Sequence, residues 1–172
     1  MELLSPKNWK DYELIDCGDF EKLERFGKCI TIRPEPQAVW PKIYSNTDWE
    51  KQATVKFIPK SSSSGEWKKL KQANDQWEIK YDLRGTNDEV KSLVFRLGLT
   101  GFKHVGVFPE QAVNWDTIYN YLCELNKPKF LNLFAYTGGA SIAARAAGAD
   151  VTHVDSIKQV VSWANENMQK SN

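Results

Sequence analysis

The stretch Phe130-Leu131-Asn132-Leu133-Phe134-Ala135-Tyr136-Thr137-Gly138-Gly139-Ala140-Ser141 constrains this chain more than any other. An apolar strand over about 129–135 runs into a glycine turn. The turn opens an alanine-rich helix that Gly148 stops as a left-handed cap. A second apolar strand at 151–154 then ends on Asp155. Strand, glycine turn, helix, strand and terminal acid follow one another as in a nucleotide-binding βαβ half.

Small residues at Thr137-Gly138-Gly139-Ala140-Ser141 let a ligand approach the backbone, and the helix start presents unpaired N–H groups to something electronegative. The pattern lacks the G-x-G-x-x-G spacing that serves a pyrophosphate, which argues against a dinucleotide. It fits a nucleoside ligand that carries a carboxylate in place of phosphate. Asp155 lies 17 residues beyond Gly138, near the spacing of roughly 20 at which an acid meets ribose hydroxyls. Taken singly, each glycine reads as a turn and Asp155 as a helix cap. Taken together they favour a nucleoside site.

The rest of the chain builds toward this unit. Residues 1–27 carry four Lys/Arg against seven Asp/Glu and read as an irregular opening with a short turn or helix near 20–26. A strand at 29–33 is stopped by Pro34 and Pro36. Alternation at 53–58 and at 77–83, on either side of Ser61-Ser62-Ser63-Ser64-Gly65, predicts an antiparallel hairpin with an extended tip. Another strand covers 92–97. A helix over about 114–125 follows, with Trp115, Ile118, Tyr119, Leu122 and Leu125 on one stripe and Asn114 as its cap. A last helix begins near Ser156 and buries Ile157, Val160, Val161, Ala164 and Met168.

Composition narrows the classes. A net charge of +1 argues against a generally basic nucleic-acid binder. Cys17, Cys29 and Cys123 are scattered without a C-x-x-C pair, and only two histidines are present, so a structural zinc is not expected. Reduced thiols in a cytoplasmic protein are the simpler reading. No apolar run approaches the ~20 residues of a membrane helix, and the opening Met1-Glu2-Leu3-Leu4-Ser5-Pro6-Lys7 lacks the form of a signal peptide.

The segments LNLFAYTGGAS and AGADVTHVDSIKQVVSWANENMQKS resemble the cofactor-binding half of class I S-adenosylmethionine-dependent methyltransferases, in particular the bacterial ribosomal large-subunit RNA methyltransferase-like subgroup. FKHVGVFPEQAVNW and YELIDCGDFEKLERFG are similar to stretches of the same subgroup. The resemblance implies an α/β fold: an incomplete Rossmann-like domain at 101–172, with its first two parallel strands, preceded by a small β-rich domain at 1–100. It implies S-adenosylmethionine as cofactor and RNA, namely ribosomal RNA, as substrate. Phe134, Ala135, Tyr136, Thr137 and Gly138 would line the methionine part, with Ser141 at the helix start. Asp155 would hold the ribose hydroxyls, with Ser156 and Ile157 near the adenine, and Phe108 and Gln111 would approach from the side.

Such enzymes carry an Asp-Pro-Pro-like or Asn-Pro-Pro-like acceptor loop after the fourth strand, and this sequence has no Pro-Pro pair. Catalytic residues are therefore unassigned, and Cys123, on a helix before the first strand, is given no such role. The strand at 131–136 should be central in the full fold, but only the strand at 151–154 is at hand to flank it. Its other edge is expected to be apolar and unpaired, prone to pair with another chain or copy, as in a fragment.

Residues 51–84 hold eight Lys/Arg against four Asp/Glu, with cations and aromatics interleaved at Trp67-Lys68-Lys69-Leu70-Lys71 and Trp77–Tyr81. Two readings stand: an RNA surface whose rings stack on bases, or a solvated hairpin whose rings point inward. Two functions stand beside them, a methyltransferase and a non-catalytic nucleoside- or RNA-binding module. A nicotinamide-dependent oxidoreductase is disfavoured by the missing pyrophosphate glycines.

Overall fold

A computed structural model describes residues 4–6, 9–61, 64–85 and 90–171, so Ser62 and Ser63 of the expected serine turn lie outside the described residues, as does part of the opening heptapeptide. The chain forms two compact units, one of Lys10–Ile79 with Leu97–Val105, the other of Met1–Trp9, Lys80–Arg96 and Gly106–Asn172.

The first unit carries a five-stranded sheet in the order β1 (Tyr12–Gly18), β2 (Glu21–Phe26), β3 (Cys29–Pro34), β4 (Val55–Pro59), β5 (Gly65–Lys69). The acidic opening is thus a strand pair and not an irregular segment or helix. β1 and β2 meet at Asp19 and Phe20, both with positive φ (47° and 63°). Two left-handed central residues suit the twist of a hairpin, but the usual Asn-Gly or Asp-Gly signal is absent, which hid the turn. β3 pairs with β4 in parallel, through a crossover that holds α1 (Asn46–Gln52). This helix was not expected, although Ser45 and Asp48 have the spacing of a capping box: the Asp48 N–H donates to Ser45 Oγ at 3.2 Å. Its buried Trp49 packs with Leu23, Ile32 and Ala53. Glu24 on β2 and Arg33 on β3, diagonal across the strand pair, form a buried bidentate pair at 2.6 and 3.0 Å, and the Tyr12 hydroxyl donates to the same carboxylate.

The hairpin expected over 53–83 does not form. β4 pairs instead with β5, antiparallel and in register from Val55↔Lys69 to Pro59↔Gly65. The later strand, β6 (Gln76–Arg84), pairs with β7 (Val90–Gly98) in a separate two-stranded sheet. Clean alternation at 77–83 identified a strand without identifying its partner.

In the second unit, a single 3-10 turn at Pro109–Gln111 leads into α2 (Ala112–Cys123). The helix starts earlier than its expected cap, and Asn114 Nδ2 donates to Gln111 Oε1. β8 (Lys129–Leu133), α3 (Gly139–Ala146) and β9 (Asp150–Val154) then make a parallel βαβ unit in register from Lys129↔Asp150 to Leu133↔Val154. This is the incomplete Rossmann-like half expected from the sequence. On one side of the pair, Phe130 and Val151 pack against Leu122, Ala144 and Ala149. The other side presents Leu131 (59% exposed), Leu133 (54%) and Val154 (45%). Parallel sheets ordinarily bury both faces. Among the described residues β8 pairs with β9 alone.

α4 (Lys158–Lys170) begins after Ile157, which is exposed; of the expected stripe Ala164 is buried and Val160, Val161 and Met168 are half-buried, while Trp163 and Asn167, which were not expected, are buried as well. Trp163, Asn167 and Ser171 follow one another at helical spacing along β7. Trp163 Nε1 donates to Arg96 O at 2.7 Å, the Arg96 N–H to Asn167 Oδ1 at 2.8 Å, and the Val94 N–H to Ser171 Oγ at 2.9 Å. Three side chains thus satisfy backbone groups on β7 that would otherwise be left open.

Candidate functional site

The sequence Phe134-Ala135-Tyr136 is built as a strained turn. Phe134 (φ 54°) and Tyr136 (φ 49°) are both left-handed, a conformation that costs a residue with a side chain on the order of 1–3 kcal/mol. Two bonds from the neighbouring strand hold it there. The Ala135 N–H donates to Val154 O at 3.0 Å, and the Tyr136 N–H donates to Asp155 Oδ2 at 2.9 Å. Asp155 Oδ1 accepts the Ile157 N–H at 3.0 Å. These backbone donors, Ile157 and then Tyr136, hold the Asp155 carboxyl below the usual carboxylate range.

The two glycines that follow do different work. Gly138, at φ 91°, caps α3 in a conformation only glycine adopts without cost. Gly139 permits close approach, because a Cβ there would lie 2.6 Å from the Trp115 ring. Trp115 belongs to a buried aromatic cluster with Trp9, Tyr81 and Phe95, so its core role is as expected. Thr137 is buried, with its hydroxyl donating to Gly106 O at 2.6 Å and its carbonyl accepting from Asn167 Nδ2 at 3.0 Å. Gly106 lies under the Trp163 ring, where a Cβ would stand 2.4 Å from the indole.

Around this turn lies a cleft of about 460 Å³, within the size of a small-ligand site. Six of the expected residues line it: Phe108, Gln111, Phe134, Ala135, Tyr136 and Thr137. The rings of Phe108 and Tyr136 meet at 4.9 Å between centroids, and Phe134 is 93% exposed. Gly138, Ser141, Asp155, Ser156 and Ile157 are not among the lining residues. Asp155 is bonded to the lining residue Tyr136, while Ser156 and Ile157 lie on the exposed turn beyond it. Ser141 points away, fully buried: Asn132 Nδ2 donates to its Oγ at 2.9 Å, and the same oxygen shares a hydrogen bond with His153 Nδ1 at 2.9 Å. Burial, against the opposing pull of Asp155, pushes the His153 pKa down, and its Nε2 is buried without a partner.

Sequence reasoning did not single out Phe95, Val107, Glu110, Asn132 or Leu133, which also line the cleft. Asn132 had a visible signal, a polar residue inside an apolar strand. Phe95 had none, since it comes from β7, distant in sequence. Among the described residues no Lys or Arg lines the cleft and Glu110 is its one acid, a poor environment for a pyrophosphate and a better one for a cationic ligand. Among the described residues no group of three or more His, Cys, Asp or Glu is placed to hold a metal, and no helix is long and apolar enough to cross a membrane.

The basic segment in the first unit is partly committed to internal bonds. Trp67 stacks edge-on with Phe57 and donates to Phe102 O, and Trp77 donates to Phe26 O. Lys69 pairs with Asp75, and Lys71 Nζ donates to the carbonyls of Lys51 and Gln52 at the end of α1. The rings there serve packing, and Lys68 stays exposed.

No family model matches the chain. It is 38% identical over 80 residues to the ribosomal RNA large subunit methyltransferase K/L of Magnetococcus marinus, over 46% of this chain and 11% of that protein. It is 38% identical over 74 residues to the protein of the same name from Shewanella frigidimarina, over 42% of this chain and 10% of that one. The crystal structure of a SAM-dependent methyltransferase from Agrobacterium tumefaciens superposes with a TM-score of 0.84 and 38% identity, over 98% of this chain and 51% of that one. The chain thus spans about a tenth of the curated relatives and about half of the Agrobacterium protein.

Proposed function

We propose that this chain, similar in sequence and fold to class I S-adenosylmethionine-dependent methyltransferases, binds S-adenosylmethionine at its glycine turn as the cofactor-holding part of an RNA methyltransferase acting on ribosomal RNA. The observation that carries the reading is Asp155. An ionised acid at the end of the second parallel strand is bonded to the turn that lines the cleft.

When bound, the cofactor supplies a sulfonium methyl for in-line displacement by a nucleophile, a reaction in which positioning does most of the work. Asp155 accepts the ribose hydroxyl protons with the lone pairs left free by its backbone bonds. Ser156 and Ile157 flank the adenine. Phe134, Ala135, Tyr136, Thr137 and Gly138 surround the methionine part, Phe108 and Gln111 close the side, and Ser141 braces the helix start from behind. Glu110 adds a favourable field for a cation.

The N-terminal β-rich part, residues 1–100, presents the RNA, supported by the basic excess over 51–84. The bare face at Leu131, Leu133 and Val154 associates with further polypeptide, its own copy included. Three free thiols suit a cytoplasmic setting.

Calorimetric titration with S-adenosylmethionine, with NADH as control, tests the cofactor. Heat with the former only, lost in Asp155→Ala, supports the reading; no heat with the parent protein overturns it. Tritiated methyl transfer to ribosomal RNA then separates an enzyme from a binding module, which binds cofactor and transfers nothing.

A further inference from the structure

Asn167 is fully buried on α4, yet both ends of its amide are used on groups of the main chain far away in sequence. Its Oδ1 accepts the Arg96 N–H at 2.8 Å, and its Nδ2 donates to Thr137 O at 3.0 Å. Thr137 lines the cleft, and so does Phe95, the residue next to Arg96. One side chain therefore ties both walls of the cleft to the same point of a helix. Its neighbours on that helix do less. Trp163 and Ser171 bond Arg96 and Val94 on β7, and neither has a hydrogen bond to the glycine turn.

We propose that Asn167 is a positioning residue for the cofactor cleft: it fixes the Thr137 carbonyl, and with it the turn Ala135 to Gly138, against the strand that carries Phe95. For its consequence on ligand affinity this rests on the cofactor reading above. The physical argument does not. A buried carbonyl and a buried N–H have each found one partner, and that partner is an amide with one donor end and one acceptor end. The amide satisfies both at once, with its donor and acceptor ends apart. The Thr137 hydroxyl is committed to Gly106 O, and the Gly138 N–H closes the turn on Ala135 O at 3.0 Å. Losing Asn167 leaves the turn held at Thr137 by the hydroxyl alone.

Asn167→Asp separates the two halves of the role. The carboxylate still accepts from Arg96 N but meets the Thr137 carbonyl oxygen to oxygen. Asn167→Ser, too short to reach Thr137, serves as a second variant, and it decides the matter should the Asp variant not fold. Ser171→Ala is the comparison, since it loosens β7 without touching the turn. Backbone amide exchange of the ligand-free proteins, read by NMR, is the first measurement. Exchange at Gly138 should accelerate about tenfold or more in the Asn167 variants and stay unchanged in Ser171→Ala, which gives up bonds to Val94 and to the Asn167 carbonyl but none to the turn. The affinity for S-adenosylhomocysteine should fall about tenfold in the Asn167 variants and hold in Ser171→Ala. Gly138 exchange that is unchanged in the Asn167 variants, or equally raised in Ser171→Ala, overturns the proposal. Failure of the parent protein to bind S-adenosylhomocysteine overturns the cofactor reading instead, and the exchange data still decide what Asn167 does.

Discussion

Asp155 accepts the main-chain N–H of Tyr136 at 2.9 Å, so the acid that ends one parallel strand holds the turn that ends its neighbour. In the proposed reading one carboxylate thus carries a ribose role and a structural role. In that reading the acceptor is oriented in advance by its bonds to the Tyr136 and Ile157 N–H groups.

Asp155→Ala should therefore do two things at once. It should weaken S-adenosylmethionine binding by about 10- to 100-fold, the cost of losing hydrogen bonds to a charged group. It should also speed amide exchange at Tyr136 without ligand. The carboxyl is held below its ordinary value, so its contribution is present above the unfolded pKa of about 3.9 and is lost as pH falls through the lower folded value. In the parent protein Tyr136 protection should persist to below about pH 4, measured by exchange along a pH series. Loss of protection already at pH 5 would contradict this account.

The glycines of the second unit make a graded set. Gly139→Ala places a Cβ 2.6 Å from the Trp115 ring and should cost about 1–3 kcal/mol in thermal or urea unfolding. Gly148→Ala meets nothing within 4 Å but sits at φ 85°, and it should cost about 1–2 kcal/mol from backbone strain alone. In the first unit, Gly101→Ala has neither open-space conflict nor positive φ, and should change stability by less than about 0.5 kcal/mol. Equal costs at 139 and 101 would show that Trp115 yields freely.

Why the βαβ half was legible in sequence, and the rest less so, follows from where the information sits. Phe130 to Asp155 holds both strands, the glycine turn and the acid within one local run, and each residue reports its own conformation. Phe95 and Asn167 carry no such local mark: each matters because β7 and α4 meet the turn from 30 or more residues away. The β1–β2 turn was missed because Asp19 and Phe20 adopt left-handed geometry without glycine. The strand at 77–83 was found and mispaired, since alternation fixes which side chains share a face and leaves the neighbouring strand open. Ser141 looked like a ligand contact by its position at a helix start, and the structure turns it inward to Asn132 and His153.

The lysines of the first unit allow the proposed RNA binding to be tested apart from folding. Lys68→Glu, at an exposed and structurally uncommitted position, should weaken RNA retention in a salt-dependent way while leaving the melting temperature unchanged. Lys71→Glu should also lower the melting temperature, because its ammonium caps the carbonyls of Lys51 and Gln52. Filter binding at two salt concentrations measures the first effect and calorimetry the second. Retention unchanged by the triple variant Lys68→Glu, Lys69→Glu, Lys71→Glu would reduce this surface to a solvated sheet.

Acid sensitivity should trace to the two histidines, one in each unit. His104 is pushed down to about 4, first by burial and then by Arg33, Lys103 and Lys22, with Glu24 opposing. His153 is shifted down as well, first by burial. In the unfolded chain both return to about 6.5, so below there the unfolded state binds more protons than the folded one, in the case of His104 down to about 4. Stability is then complete above about pH 6.5 and is lost as pH falls toward the folded value. The urea midpoint of the parent protein should accordingly decline from pH 7.5 to pH 5. His104→Gln, which cannot take up the proton, should flatten that decline, and the double variant with His153→Gln should flatten it further. If the single variant and the parent lose stability with the same slope, the burial of His104 among three cations is not what makes this chain acid-sensitive.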